Sequence, residues 1–446
     1  MKNVLILAYD FPPYVSVGGM RPTSWFKNMH RHGLYPIIIT RQWSNEFRDY
    51  RDFISASHSK ETIIEKTKEG TIIKTPYKPN LSNRLLLKYG DSRFKFLRKM
   101  VTAYYEFAQF VFLVGPKKEL YLAAEEYMKD QQVDMILATG EPYVLFKFAS
   151  QLSSKYNIPW IADYRDTWSQ NRAASNYMLK NKWESIFEKK YLANVKLITT
   201  ASPVFKKNIS ELLPGKSFRI VSNGFDLESI EAASNIRQGE EKMSIAFVGA
   251  VYDWHPMKSF LNSCCQFVKK EGNPEFEINF YGVNQSHFKY DIADLLKMEY
   301  PELEQYVTIY PKIPNEELVQ KLATNNLFLL FNYYTYMGTK IYDYLGLKRN
   351  ILLCYSNDDE ARELRKKYYN FKEGNFGEIR VQEDLMKQTK SGIIVKNSAH
   401  LKDVLAMYYE EFQMKRTIQC NSIGIDDFSR DAQVEKMSDI IFDLLK

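Results

Sequence analysis

Lys340 and Asp343 stand three residues apart in the stretch GTKIYDYLGLKRNILL, residues 338–353. At helical spacing this puts an ammonium, which seeks anions, and a carboxylate, which seeks hydroxyls, on one face. A nucleoside diphosphate with its ribose needs that pair. Gly338 supplies a flexible turn and Thr339 an N-cap, so a helix is expected from about Lys340 with free amides at its start. The flanking runs Leu327–Phe331 and Ile351–Cys354 are apolar and of strand length, as in a parallel sheet covered on both faces. Open sheets of that kind bind ligands at their carboxyl edge, where this helix begins. The ordinary alternative is a solvated helix face on which Lys340 and Asp343 pair with each other.

The elements that would position these groups recur along the chain. Val4–Ala8, a loop with Gly18-Gly19, a helix from about Pro22 to His32 and a strand at Ile37–Thr40 read as a βαβ start. Met135–Ala138, Trp160–Ala162 and Leu197–Thr200 continue the alternation, and the first two run into the polar turns Thr139–Tyr143 and Asp163–Asp166. After Leu213-Pro214-Gly215-Lys216, which has a linker's composition, a second set follows: Ile245–Val248 ending at Gly249, Ile278–Tyr281 at Gly282, and Val307–Tyr310 at Pro311. Glycine or proline just past a strand permits close backbone approach or a sharp turn. The expected domains are 1–214, completed by an amphipathic helix at about 427–446, and 215–426.

With 446 residues, 45% hydrophobic and 26% charged, the chain is globular rather than disordered. Its formal charge of +7 favours anionic partners. Cys264, Cys265, Cys354 and Cys420 show neither CxxC spacing nor histidines placed for zinc, and read as reduced thiols. The opening apolar run is too short for a signal-peptide core, and no stretch supplies the roughly 20 apolar residues of a membrane span. The expectation is a cytoplasmic protein, with a peripheral place on the inner face of the cell membrane left open.

Four motifs carry a family resemblance: YDFPPYVSVGGMRP (9–22), IPWIADYRDTW (158–168), SNGFD (222–226) and KIYDYLG (340–346). In this order and spacing the chain resembles the glycosyltransferases of the GT-B fold, most closely the large retaining family four. The resemblance implies an α/β fold of two Rossmann-like domains facing across a cleft, a nucleotide-sugar donor on the C-terminal domain and a glycan or lipid-linked glycan acceptor on the N-terminal one. It also implies a place in cell-surface polysaccharide synthesis. Two departures stand out. Asp343 matches the second of the family's paired glutamates, whereas Thr335 stands at the first; and Ala250 follows Gly249 where an arginine is usual, leaving Lys258 as the nearby cation.

On this reading Lys258 and Lys340 hold the diphosphate, Lys340, Arg21 or Arg165 compensates for the missing cation, and Gly18, Gly19 and Gly249 allow close backbone approach. Thr339 opens the donor helix and Asp343 takes the ribose hydroxyls. Glu141, Arg165 and Asp166 face the acceptor; Asp166 orients its hydroxyl or stabilises the oxocarbenium charge, and Arg165 contacts a phosphate. Gly18-Gly19 as a plain loop, Arg165–Asp166 as a structural ion pair and His255 as a helix-start residue are the plain alternatives. No convincing Asp-x-Asp motif is present, so neither a metal nor another cofactor is expected. In the retaining family the donor phosphate takes the acceptor proton, and a protein nucleophile is unnecessary, unlike in retaining glycoside hydrolases.

Residues 78–118 form a basic and aromatic insert: Arg84, Lys88, Arg93, Lys95, Arg98 and Lys99 interleave with Leu85–Leu87, Phe94, Phe96 and Leu97, and Tyr104–Leu113 follows. It reads either as an interfacial segment for an anionic membrane or as a helical pair with its basic face in water. The alternative to an enzyme is a non-catalytic GT-B-fold protein that binds nucleotide-sugars or acts as a scaffold, favoured by the two departures. A dinucleotide-dependent oxidoreductase lacks a GxGxxG after the first strand, and no nucleic-acid-binding module is recognisable.

Overall fold

The computed structural model describes residues 1–44, 50–170, 178–283, 291–334, 336–369 and 380–446. It divides into an N-terminal unit, Met1–Ser222 with Asp431–Lys446, and a C-terminal unit, Asn223–Arg430.

The N-terminal unit is built on eight strands: β1 (Lys2–Leu7), β2 (Leu34–Arg41), β3 (Ile63–Lys66), β4 (Thr71–Thr75), β5 (Met135–Gly140), β6 (Trp160–Tyr164), β7 (Leu197–Thr200) and β8 (Phe218–Ile220). Their order is β3-β4-β2-β1-β5-β6-β7-β8, parallel except for the edge strand β3, which runs antiparallel to β4. Side-chain alternation explains why β1 is apolar throughout. Leu5 and Leu7 enter one packed layer while Val4 and Ile6 enter the opposite one, so both faces need covering. The second layer is completed by Val434, Met437 and Ile441 of the C-terminal helix Arg430–Leu445.

The C-terminal unit carries β9 (Met243–Val248), β10 (Phe276–Tyr281), β11 (Val307–Tyr310), β12 (Leu327–Phe331), β13 (Asn350–Cys354) and β14 (Gly392–Val395). They run in the order β11-β10-β9-β12-β13-β14, with every pairing parallel. In each sheet the chain first builds outward on one side and then returns to build on the other. The topological switch therefore falls between β1 and β5 in one unit and between β9 and β12 in the other, and such points leave a crevice at the carboxyl ends of the strands.

The unit boundary lies beyond the expected position 214. Leu213–Lys216 is an internal turn, because β8 follows it and pairs with β7 in the N-terminal sheet. The insert forms two helices, Leu81–Tyr89 and Lys95–Val111. All four cysteines are free, three of them buried. No described helix is long and apolar enough to cross a membrane.

Candidate functional site

In the C-terminal unit the switch point is where β9 ends and the helix Lys340–Gly346 begins. That helix is fastened to the end of β9 at both backbone poles. Lys340 Nζ donates to the Val248 carbonyl, and Tyr344 Oη accepts the Val248 N–H at 3.2 Å while its ring stacks on Phe328. Gly249 follows with φ of 90°, and a Cβ there would collide with the Lys340 amino group, so two independent constraints select glycine. Thr339 does not cap the helix through its side chain; its own backbone is already helical.

Lys340 and Asp343 are both half-buried and form no ion pair with each other, which removes the surface-pair alternative. Burial pushes Lys340 down to about 8, opposed by the Asp343 charge. Burial pushes Asp343 up to about 6; Arg430 and Lys340 oppose this, while Asp226 adds to it. Arg430 is itself engaged by Asp226 at 3.2 Å. Among the described residues the Asp343 carboxylate accepts no hydrogen bond, so a carboxylate with open lone pairs stands beside an ammonium that binds only a carbonyl.

His255, which sequence left between a ligand and a helix-start residue, packs into this corner. Its Nδ1 accepts the Tyr252 N–H at 3.1 Å, its Nε2 lies 3.4 Å from the Tyr333 hydroxyl, and its ring stacks on Phe331. Burial, reinforced by the Lys340 charge, holds it well below the ordinary histidine range and therefore neutral. Lys258 lies in the first turn of the helix Met257–Glu271, but both oxygens of Glu299 hold its ammonium, at 2.5 and 2.7 Å. The same helix start is occupied by Glu360, which accepts the Ser259 N–H at 2.7 Å. Lys258 is therefore a charge already compensated, against the expectation that it grips a diphosphate. Thr335 lies outside the described residues.

The N-terminal unit gathers a different set at its own switch point. Gly18 and Gly19 are not a loop: the helix starts at Val17, with Ser16 as its cap accepting the Gly19 N–H at 3.0 Å. The Ser16 hydroxyl in turn donates to Asp10 at 2.9 Å. A side chain at Gly18 would strike the Arg165 guanidinium and the Asp10 carboxylate, so glycine there lets both reach the helix start. Arg165 spans to the end of β5, donating to the carbonyls of Gly140 (2.7 Å) and Glu141 (2.6 Å). The Glu141 and Asp166 side chains are exposed at this edge, and the Asp166 carbonyl accepts from Tyr143 Oη at 3.0 Å.

Arg21 is a correction. Its guanidinium binds both oxygens of fully buried Asp163, at 2.6 and 3.1 Å, and donates to the carbonyls of Val221 and Ser222. It welds the end of the N-terminal sheet together and is spent before any donor arrives. Sequence reasoning missed Asp10, although it lies just past the first strand inside a quoted motif. Burial raises its carboxyl, with Ser16 and Arg165 opposing.

No protein-family model matches the chain, and no curated protein sequence does. Solved structures are similar over the full length. Sucrose-phosphate synthase from Thermosynechococcus elongatus aligns with 100% of this chain and 99% of its own, at 14% identity and a TM-score of 0.58. An α,α-trehalose-phosphate synthase from Burkholderia xenovorans, in complex with glucose-6-phosphate, aligns with 100% of both chains at 10% identity and a TM-score of 0.57. HepE from Anabaena, in complex with UDP, covers 99% of this chain and 100% of its own at 11% identity and a TM-score of 0.54. With its two parallel-sheet domains, the chain has the GT-B fold.

Proposed function

We propose that this chain is a glycosyltransferase that binds a nucleotide-sugar at the C-terminal unit and an acceptor at the N-terminal unit, in the synthesis of a cell-surface polysaccharide. The observation that carries the reading is the pair Lys340 and Asp343: half-buried at the switch point, not bonded to each other, and set beside a glycine that keeps the backbone open. A pyrophosphate would satisfy the ammonium and ribose hydroxyls the carboxylate. The similar structures with UDP and glucose-6-phosphate bound support a fold suited to such ligands.

In transfer, the bond from the anomeric carbon to the phosphate oxygen breaks, the acceptor oxygen forms the new bond, and its proton passes to the departing phosphate. Configuration is retained because attack and departure share one face. Lys340 stabilises the charge that grows on the leaving group, so the reaction is proposed to run without a divalent metal and to survive chelation. Asp10, Glu141, Arg165 and Asp166 serve the acceptor. Thermal stabilisation by UDP, GDP, ADP and CMP tests the reading: one nucleotide should stabilise the wild type and lose that effect in Lys340→Met. If none stabilises the wild type, the reading fails.

Two finer proposals attach to it. The helices Leu81–Tyr89 and Lys95–Val111 expose Phe96 (77%), Met100 and Tyr104 near the basic residues Arg93, Lys95 and Lys99. That combination suits the anionic cytoplasmic face of a membrane carrying a lipid-linked acceptor. Arg98 does not contribute, being turned to the Asp91 carbonyl at 2.7 Å. Unimpaired binding to anionic liposomes after Phe96→Ser with Lys95→Glu and Lys99→Glu would refute this. The second reading, a nucleotide-sugar-binding scaffold without turnover, is favoured by the commitment of Arg21 and Lys258 to internal carboxylates. Slow hydrolysis of the donor that disappears in Lys340→Met would decide for the enzyme.

A further inference from the structure

Beside the helix start described above, the carboxyl edge of the N-terminal sheet holds two cations that, among the described residues, have no carboxylate within ion-pair distance. Arg41, the last residue of β2, is 3% exposed. Its guanidinium lies between the rings of Trp43 (3.9 Å) and Tyr77 (3.7 Å). Nη1 donates to Tyr9 Oη at 3.0 Å and to the Phe53 carbonyl at 2.9 Å, while Nε is buried without a partner among the described residues. Lys117, just before the helix Lys118–Asp130, brings its ammonium to 5.8 Å from the centre of the Tyr9 ring. That ammonium has neither a hydrogen bond nor an ion pair among the described residues.

The charges facing Lys117 come from three elements. Glu106 and Glu141 attract it and Arg41 repels it, while burial, the largest influence, lowers its proton affinity. Glu106 is already shared with Lys180 at 3.7 Å, and Glu141 is exposed at the end of β5. A half-buried ammonium with a second cation behind it, and around it one carboxylate already shared and one exposed, has room for the charge of an added anion. Tyr14, stacked on Trp43 at 4.4 Å, and Asp10, next to Tyr9, connect this corner to the cluster at Gly18.

We infer that Lys117, backed by Arg41, binds the negatively charged group of a sugar acceptor, a phosphate or a carboxylate, at the switch point of the N-terminal sheet. This rests on the glycosyltransferase reading for the word acceptor, but the anion site itself can be tested without turnover. The ammonium would form charge-assisted hydrogen bonds to the anion, and the caged guanidinium would hold a fixed positive potential behind it.

The experiment titrates glucose 6-phosphate, glucuronate, inorganic phosphate and glucose calorimetrically into the full-length protein, with and without saturating UDP, and repeats this with Lys117→Met and Lys117→Arg. Expected is binding of glucose 6-phosphate or glucuronate at least about tenfold tighter than of glucose, unaffected by UDP. Lys117→Met should lose that factor and Lys117→Arg should keep most of it, both binding UDP as the wild type does. The phosphate, carboxylate and inorganic arms tell which group is recognised. The inference is overturned if charged and neutral sugars bind alike, if Lys117→Met binds the anions unchanged, or if UDP displaces them. Absence of UDP binding in the wild type would strike the donor reading alone and leave the anion titrations to decide this one.

Discussion

Replacing Asp343 by Asn should make the protein more stable at neutral pH and worse at holding a nucleotide. The carboxyl is raised from 3.8 to about 6 in the folded chain, mainly by burial. Below pH ~4 it is protonated whether folded or unfolded, and Asn and Asp are electrostatically equivalent there. Between pH ~4 and ~6 the folded state keeps the proton that the unfolded state has released, so stability falls as pH rises, and above ~6 the whole penalty is present. A rise of about two pH units corresponds to about 3 kcal/mol, of which solvent reaching a half-buried group recovers part, leaving about 1–3 kcal/mol. For a domain of this size that is a melting temperature about 2–10 °C higher for Asp343→Asn at pH 7.5, converging with the wild type near pH 4. Nucleotide binding should move the other way. Hydrogen bonds from ribose hydroxyls to an ionised carboxylate contribute about 1.5–3 kcal/mol, so UDP should bind the variant roughly 10- to 100-fold more weakly. Calorimetric melting at the two pH values and UDP titration check both halves. A variant that melts lower than the wild type at pH 7.5, or that binds UDP equally well, would show that this carboxylate is held by the protein rather than kept open for a ligand.

Three further outcomes follow from neighbouring geometry. Lys340, near 8 in the free protein, should regain affinity for its proton beside a diphosphate; UDP affinity should therefore fall as pH rises above 8, and binding at pH 8 should take up a fraction of a proton, seen as a buffer-dependent enthalpy that Lys340→Met abolishes. Gly249→Ala places a Cβ on a backbone with φ of 90° and against the Lys340 amino group; a loss of about 2–4 kcal/mol is expected by urea melting, with UDP binding weakened as Lys340 is displaced. Arg21→Met leaves fully buried Asp163 with only the hydroxyls of Thr139 and Thr199. It should cost about 3–5 kcal/mol in urea melting while the folded fraction binds UDP normally; a selective loss of UDP affinity would restore the donor role.

The architecture was legible because its central strands are buried on both faces. A run such as Leu327–Phe331 is apolar at every position and is followed by a polar or glycine-bearing turn, and each of the ten runs read in this way lies within or overlaps a parallel strand. What escaped was structure that depends on a neighbour. The edge strand β3 exposes Ile63 and Ile64 and shows no buried run, while β4, though mostly buried, has only Ile72 and Ile73 as apolar residues. Gly215 and Pro214 have the same composition whether they separate domains or turn a chain within one, and the pairing of β8 with β7 decides that. Gly18-Gly19 reads as a loop ahead of a helix from about Pro22, whereas the Ser16 cap makes it the first turn of a helix from Val17.

The same distinction sorts the charged residues. The juxtaposition of Lys340 and Asp343 is legible because it is local, three residues along one helix, and among the described residues folding adds no carboxylate to the one or hydrogen-bond donor to the other. The internal partners of Arg21 and Lys258 are not legible, because Asp163 and Glu299 lie 142 and 41 residues away. Lys117 is illegible for the converse reason: what makes it noticeable is that its ammonium has no hydrogen bond or ion pair among the described residues, which no local pattern records. Among the described residues Arg21 and Lys258 are held by internal carboxylates whereas Lys340, Asp343 and Lys117 form no ion pair, and since a partly buried charge gains from an added counter-charge, these are the groups on which the proposed ligands would act. Double substitution of Lys340 and Lys117 by Met should then act additively on stability, because the two serve different ligands in different units; coupling above about 0.5 kcal/mol between them would mean that they answer to one and the same charge.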